Sequence, residues 1–212
     1  MEQKLLIETD SHGVDLLLYD VDDIHDALDL EAYEEQLAST YANIYLYLVN
    51  EDYEEGCNLN EKELVSTIGG RLFDMDYVYE HRLHLASIFD MYDADTSSLA
   101  CYLLDEKGDI KEEYISVFSN NIYYLDRIEV EEKFRGQGYA KFLLHNLPKI
   151  LTYISKINIG LMVVQAQPFD RINQRQVMDY ENKARKERLI QLYESCEFTR
   201  IDHSNYLIRL YE

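Results

Sequence analysis

Tyr123-Tyr124-Leu125-Asp126-Arg127-Ile128-Glu129-Val130-Glu131-Glu132-Lys133-Phe134-Arg135-Gly136-Gln137-Gly138-Tyr139-Ala140 is the stretch that decides the fold. An apolar run ends at Val130, a short charged turn follows, and Arg-Gly-Gln-Gly-Tyr-Ala leads into an amphipathic segment. Strand, glycine-punctuated turn and helix in that order aim unpaired backbone N–H groups at a phosphate. The first amides of a helix have no acceptor inside it, and the helix dipole favours negative charge at that end. Glycine at 136 and 138 removes the Cβ atoms that would hold a diphosphate off the backbone. Arg135, Gly136, Gln137, Gly138, Tyr139, Ala140 and Lys141 therefore form a candidate pyrophosphate cradle. Two other phosphate loops do not fit. The P-loop ends in Gly-Lys-Ser/Thr, which Ala140-Lys141-Phe142 does not supply. The dinucleotide fingerprint needs a small residue where Lys141 stands and an acidic residue about 20 positions on, and none lies around Lys156 to Ile159.

Working outward, Ala140, Leu143, Leu144, Leu147, Leu151 and Ile154 recur at spacings of three and four, one buried helical stripe. Pro148 removes an N–H and crowds the carbonyl of Leu144, which predicts a kink or break there. Ile159-Gly160-Leu161-Met162-Val163-Val164-Gln165-Ala166 is continuously apolar, the pattern of a buried parallel strand closed by Pro168. A strand–helix–strand unit of this length predicts a right-handed crossover. Near the C-terminus, residues 186–198 read as a helix with a short link. Glu197 to Ile201 and Tyr206 to Tyr211 form a hairpin around Asp202-His203-Ser204-Asn205.

The Arg135/Gly138/Ala140 set resembles the cofactor motif of the GNAT N-acetyltransferases, Arg/Gln-x-x-Gly-x-Gly/Ala. The C-terminal segment adds to the likeness. GNAT chains carry a helix with a Tyr and then a Gly-Phe pair opening a strand, positions held here by Tyr193 and Phe198. Glu197 replaces the usual Gly and Lys186 the frequent Asn. The resemblance covers roughly residues 97–212. It implies an α+β fold, a GNAT-like mixed central β-sheet flanked by helices. Residues 97–212 would be the acetyl-CoA-binding core, and residues 1–96 an extended acidic region of the same body on the acceptor side.

The resemblance also implies a mechanism, direct transfer from acetyl-CoA to a primary amine. Ile128, Glu129 and Val130 would run along the pantetheine arm, with the N–H near Ile128 facing the thioester carbonyl. Arg135 to Lys141 would hold the diphosphate, and the Tyr193 hydroxyl would protonate the departing sulfur. A tyrosine near pKa 10 can give a proton to a thiolate whose acid has a pKa near 8.5. The strand Glu that family members often use as base is absent, because Tyr124 occupies its position. Strand alternation groups Asp126 with Tyr124, Ile128 and Val130 and sets Glu129 opposite, so Asp126 is the candidate base. The bland alternatives are a packing tyrosine at 193 and a solvated or ion-paired carboxylate at 126.

Charge is unevenly spread. The formal net charge is −21, with 29 acidic and 6 basic side chains in residues 1–120 against 12 and 14 in residues 121–212. A field of this sign predicts no nucleic-acid partner and an amine acceptor that is cationic, a small molecule or a basic protein. Excess acid that only maintains solubility is the competing explanation. A second functional class also fits, a catalytically silent GNAT-like module whose acidic half binds a basic partner. No apolar run reaches the ~20 residues of a bilayer span and no leader is visible, so no membrane partner is expected. Cys57, Cys101 and Cys196 read as reduced thiols of a cytoplasmic protein. His81 and His84 are one helical turn apart, but no third ligand is apparent and no metal site is assigned. Oligomeric state is not legible.

In the N-terminal half, Leu5 to Ile7 and Val14 to Tyr19 read as a hairpin, and a helix capped by Asp22 or Asp23 as running to about Thr40. Tyr41 to Val49, where tyrosines alternate with aliphatics, fits either strand or helix. Glu51 to Asn60 is a polar loop. Lys62 to Leu72 and Asp76 to Met91 read as helices parted near Gly69-Gly70. Leu99 to Leu104 and Ile110 to Phe118 read as a second hairpin.

Overall fold

The computed structural model describes residues 3–12, 38–50, 62–172, 175–178 and 183–211. Their strands are β1 (Gln3–His12), β2 (Ser39–Asn50), β3 (Lys62–Phe73), β4 (Ile122–Val130), β5 (Leu161–Gln165), β6 (Phe169–Ile172), β7 (Arg175–Met178), β8 (Thr199–Arg200) and β9 (Tyr206–Leu210). Seven form one sheet in the order β1-β2-β3-β4-β5-β9-β8, while β6 and β7 pair separately. The β4–β5 pair is parallel and every other pair in the large sheet is antiparallel. The helices are α1 (Met75–Glu80), α2 (Leu85–Asp90), α3 (Ala94–Leu103), α4 (Tyr139–Ser155) and α5 (Lys183–Glu194). A mixed sheet flanked by helices is the architecture that the resemblance implies.

The period-2 pattern builds a core on each face. On β5, Met162 and Val164 join the cluster containing Leu143, Leu144, Leu147 and Leu151 of α4 and Ile190 and Tyr193 of α5. Leu161 and Val163 join the cluster with Met75 and Val78 of α1, Ile88 and Phe89 of α2, and Leu99 and Leu103 of α3. A strand buried on both faces has no polar face to alternate, which explains its unbroken apolar reading. Asp93 caps α3 with a full capping box against Thr96, fixing where that helix begins.

Several expectations are corrected. Lys62 to Phe73 is a strand, because Val65, Ile68 and Leu72 fill a sheet core and β3 pairs with a strand on each side. Tyr41 to Val49 lies within β2, with Ile44 and Leu46 inward. The expected helix over 76–91 is two short ones, parted by residues 81–84 with Arg82 at φ 56°. The expected hairpin over 99–118 is mostly absent. Leu99 to Leu103 belongs to α3, and one isolated bridge joins Leu104 to Ile110 across the 105–109 turn. Helix α4 continues through Pro148 without a break. The readings at 14–19, 22–37 and 51–60 lie outside the described residues, although Ser39 and Thr40 already belong to β2.

The paired ends of β4 and β5 are tied by a hydrogen-bonded knot. The Asn121 carbonyl accepts from Gly160 and Leu161 N–H, its Oδ1 accepts from Met75 N–H at 2.7 Å, and its Nδ2 donates to the Asn158 carbonyl at 3.1 Å. The Ser119 hydroxyl also donates to the Asn158 carbonyl, and the Ser116 hydroxyl to the Tyr211 carbonyl. Gly160 permits this approach, since a Cβ there would lie 1.6 Å from the Ser119 carbonyl oxygen. Backbone would have to move, so Gly160→Ala is expected to cost about 3 kcal/mol. Urea unfolding checks this, and an unchanged midpoint would show that the loop yields freely.

Candidate active site

The site begins where β4 leaves β5. Ile122 to Leu125 pair with Leu161 to Val164, and beyond that, among the described residues, β4 pairs only with β3, as far as Val130. At the parting point the β3–β4 register jumps from Gly70↔Leu125 to Gly69↔Arg127, so Asp126 is the extra residue of a bulge. Past the bulge, Glu131 N–H donates to the Val65 carbonyl and the Glu129 carbonyl accepts from the Ser66 hydroxyl at 2.7 Å. Both therefore turn their peptide groups toward β3. Alternation directs those of Ile128 and Val130 the other way, into the opening between the strands.

That edge runs directly into the glycine loop. A 3₁₀ turn, Glu132–Phe134, follows β4. Arg135 Nε donates back to the Val130 carbonyl at 3.0 Å, Gln137 Nε2 to the Lys133 carbonyl at 2.9 Å, and Lys133 pairs with Glu63. Arg135 thus clips the loop to the strand end. Gly136 and Gly138 adopt φ of 75° and 89°, and a Cβ added at either would meet nothing within 4 Å. The space over them is open. The Phe142 N–H donates to the Gly138 carbonyl, starting the helical ladder, so the amides of Tyr139, Ala140 and Lys141 precede it and have no intrahelical acceptor. Open glycines beside unpaired amides at the start of a 17-residue helix fit a diphosphate.

On the α3 face of the sheet lies an acidic recess. Asp126 accepts a hydrogen bond from the Tyr41 hydroxyl at 3.0 Å. Its carboxyl is raised above the ordinary carboxylate range, chiefly by desolvation, with Asp93 adding to the rise and Tyr41, Arg127 and Arg71 opposing it. The side chain is open to solvent. Asp95 is raised too, by burial and then by Asp93, while Gln165 at the end of β5 bonds it. The Tyr206 hydroxyl donates to the Asp95 carbonyl at 2.7 Å. Arg71 stacks over the Tyr92 ring at 3.6 Å, and Arg127 donates to Asn43 Oδ1 at 3.0 Å.

Tyr193 sits on the opposite face, 4% exposed and packed against Phe198 with ring centroids 5.7 Å apart. Burial, and then Cys196, push its hydroxyl well above the ordinary tyrosine range, so it is held protonated. Asp126 and Tyr193 are therefore separated by the sheet. Strand alternation misplaced one set of residues. Ile128 packs in the α4-side core while Tyr124 lies in the α3-side core, because the bulge at Asp126 reverses the alternation. Tyr41, Asp93 and Asp95 also line the recess and were not among the expected site residues. The alternating tyrosines after Ser39 and the acidic start of α3 were the available signals.

No family model and no curated protein matches the sequence. Among solved structures the chain is similar to a KacTA–DNA complex (14% identity, 98% of this chain and 93% of that one, TM-score 0.41). It is also similar to AtaT complexed with acetyl-methionyl-tRNAfMet (15%, 98% and 95%, 0.41). A third is Arabidopsis thaliana NAA60 in complex with acetyl-CoA (16%, 79% and 76%, 0.37). At these identities and TM-scores the likeness carries no argument about activity. The expectation of no nucleic-acid partner is nevertheless withdrawn, since two of these similar structures contain DNA or an acetylated tRNA. Net charge does not decide the matter physically either. Among the described residues, Lys183, Lys186 and Arg200 line a common cavity with Glu187, a local cationic surface within an acidic chain.

The open space over Gly138 generates a prediction. Gly138→Val is expected to remain folded, at a cost of about 1–2 kcal/mol for a side chain in the left-handed region. Acetyl-CoA at 100 times its dissociation constant should raise the wild-type melting temperature by roughly 5–11 °C. A scanning-fluorimetry comparison should find that rise lost in the variant, and an equal rise in both proteins would place the ligand elsewhere.

Proposed function

We propose that the protein is an acetyl-CoA-dependent N-acetyltransferase acting on a primary amine of a cationic acceptor. The observation that carries this reading is the continuity of β4. One strand bears a carboxylate at its bulge, turns the peptide groups of Ile128 and Val130 into an opening, and ends at a glycine-lined helix start. Acetyl-CoA supplies the thioester whose acetyl group passes to nitrogen.

Each residue has a defined task. The amides of Gly138 to Lys141, with the cleared space at Gly136, hold the diphosphate. The N–H groups of Ile128 and Val130 orient the pantetheine arm and the carbonyl, where a donor matters most as charge develops on oxygen. Asp126 Oδ1 takes a proton from the acceptor ammonium, directly or through one water, leaving a neutral amine. Tyr193 gives its hydroxyl proton to the departing sulfur as the nitrogen sheds the proton it loses on becoming an amide, and that proton restores the phenol, so no buried phenolate remains. The neighbouring carboxylates of Asp93 and Asp95 favour a positively charged acceptor, and the carboxyls of Asp95 and Asp126 are raised by burial first and by the nearby Asp93 second.

Since Asp126 must be ionised to act as base, kcat/KM should fall as the pH drops through its raised pKa. Asp126→Asn is expected to lower kcat/KM by about 10²-fold and to remove that acid limb, and Tyr193→Phe to lower kcat by a similar factor. An acid limb that survives in Asp126→Asn would exclude Asp126, and an unchanged kcat in Tyr193→Phe would exclude Tyr193. Spermidine should be preferred over a neutral amine, with a preference that weakens as salt is raised. No turnover of any amine by a protein that still binds acetyl-CoA would favour a binding module.

A further inference from the structure

We propose that Tyr41 is the positioning residue of this site, reaching from β2 across β3 through the space left by Gly69 to orient the Asp126 carboxylate on β4. The inference rests on the reading of Asp126 as the base.

The geometry is specific. In the sheet Tyr41 pairs with Arg71 of β3, and Gly69, one alternation further along β3, pairs with Arg127 of β4. Between Tyr41 and Asp126 therefore stands a whole strand, whose side chains would normally bar the way. Glycine at 69 removes the bar. A Cβ there would lie 2.5 Å from Tyr41 Oη and 2.9 Å from Arg127 Nε, so both groups occupy space that a side chain would claim. The hydroxyl then meets Asp126 Oδ2 at 3.0 Å. The Arg71 guanidinium lies 5.6 Å from the centre of the Tyr41 ring and fixes its other face.

The chemistry follows from which oxygen is taken. Tyr41 is pushed up to about 12, by burial first and by Asp126 second, so at neutral pH it is a donor. A donor fixed on Oδ2 stabilises the ionised carboxylate and leaves Oδ1 to receive the acceptor's proton. The charged and titratable groups facing Asp126 among the described residues are Tyr41 from β2, Arg71 from β3, Arg127, Tyr123 and Tyr124 from β4, Asp93 at the N-cap of α3 and Asp95 in its first turn. Carboxylates from α3 push its proton affinity up, while the guanidiniums and the Tyr41 hydroxyl push it down. Deleting the hydroxyl removes one downward influence and leaves the others, so the Asp126 pKa must rise.

The experiment compares Tyr41→Phe, Gly69→Ala and Asp126→Asn with wild type. Two readouts are taken, the pH profile of kcat/KM with spermidine and the Asp126 carboxyl titration by 13C NMR, assigned by its loss in Asp126→Asn. Gly69→Ala keeps both partners and displaces only the movable ends of two side chains, which guards against a folding defect in Tyr41→Phe. Both variants are expected to shift the titration and the acid limb to higher pH. On the limb they should lose about tenfold in kcat/KM relative to wild type, with a much smaller loss at the plateau. If both titration and limb stay in place in both variants while Asp126→Asn abolishes the limb, the positioning role is overturned and the base stands. If Asp126→Asn keeps the wild-type limb, the base reading itself fails and the role assigned to Tyr41 falls with it.

Discussion

Everything in the site depends on β4 failing to pair on both sides along its length. Four residues of β4 are held by β5, and among the described residues the last four, Arg127 to Val130, pair only with β3. The cause is local. Asp126 adds a residue that β3 does not match, and a bulge of this kind bends its strand and increases the local twist. Gly69 and Gly70 on β3 let the strands close up around it, since a Cβ at Gly70 would lie 2.5 Å from the Tyr124 carbonyl oxygen. An unpaired peptide edge in a protein interior is costly unless something bonds to it. This edge is instead exposed to an opening, so its donors are free for a ligand.

The two faces of the sheet differ in chemical character. The α4 side presents unpaired amides and a protonated phenol, both suited to anionic or departing groups. The α3 side presents carboxylates and their hydrogen-bonding tyrosines. Its acidic side chains come largely from the first half of the chain, which concentrates the negative charge, and the loop and helix that suit a diphosphate come from the near-neutral second half. A single strand joins the two environments.

Sequence reading succeeded where short-range pattern determines the outcome. The strand–loop–helix of residues 122–155, the buried strand at 161–165 and the C-terminal hairpin all announced themselves by periodicity or glycine placement. It failed where pairing partners determine the outcome. Lys62 to Phe73 has no decisive local signal, and its glycines suggested an interruption when they serve instead as clearance for Tyr41, Tyr123 and Arg127. The acidic recess was half legible. Asp126 stood out on its strand, but Tyr41 lies 85 positions away and Asp93 announces itself only as a helix cap. A bulge has no reliable sequence mark, so every alternation argument carried past residue 126 had the wrong parity.

The knot around Asn121 has a mechanical consequence. It locks Gly160, Leu161, Asn158 and the carbonyl of Tyr211 together where the β4–β5 pairing begins, at the end opposite to the one where the strands part. The knot therefore sets the register of the four paired residues of each strand, and with it the place, past Leu125, at which β4 passes from two partners to one. A change at Asn121 or Gly160 would reach the site as a shift of strand register.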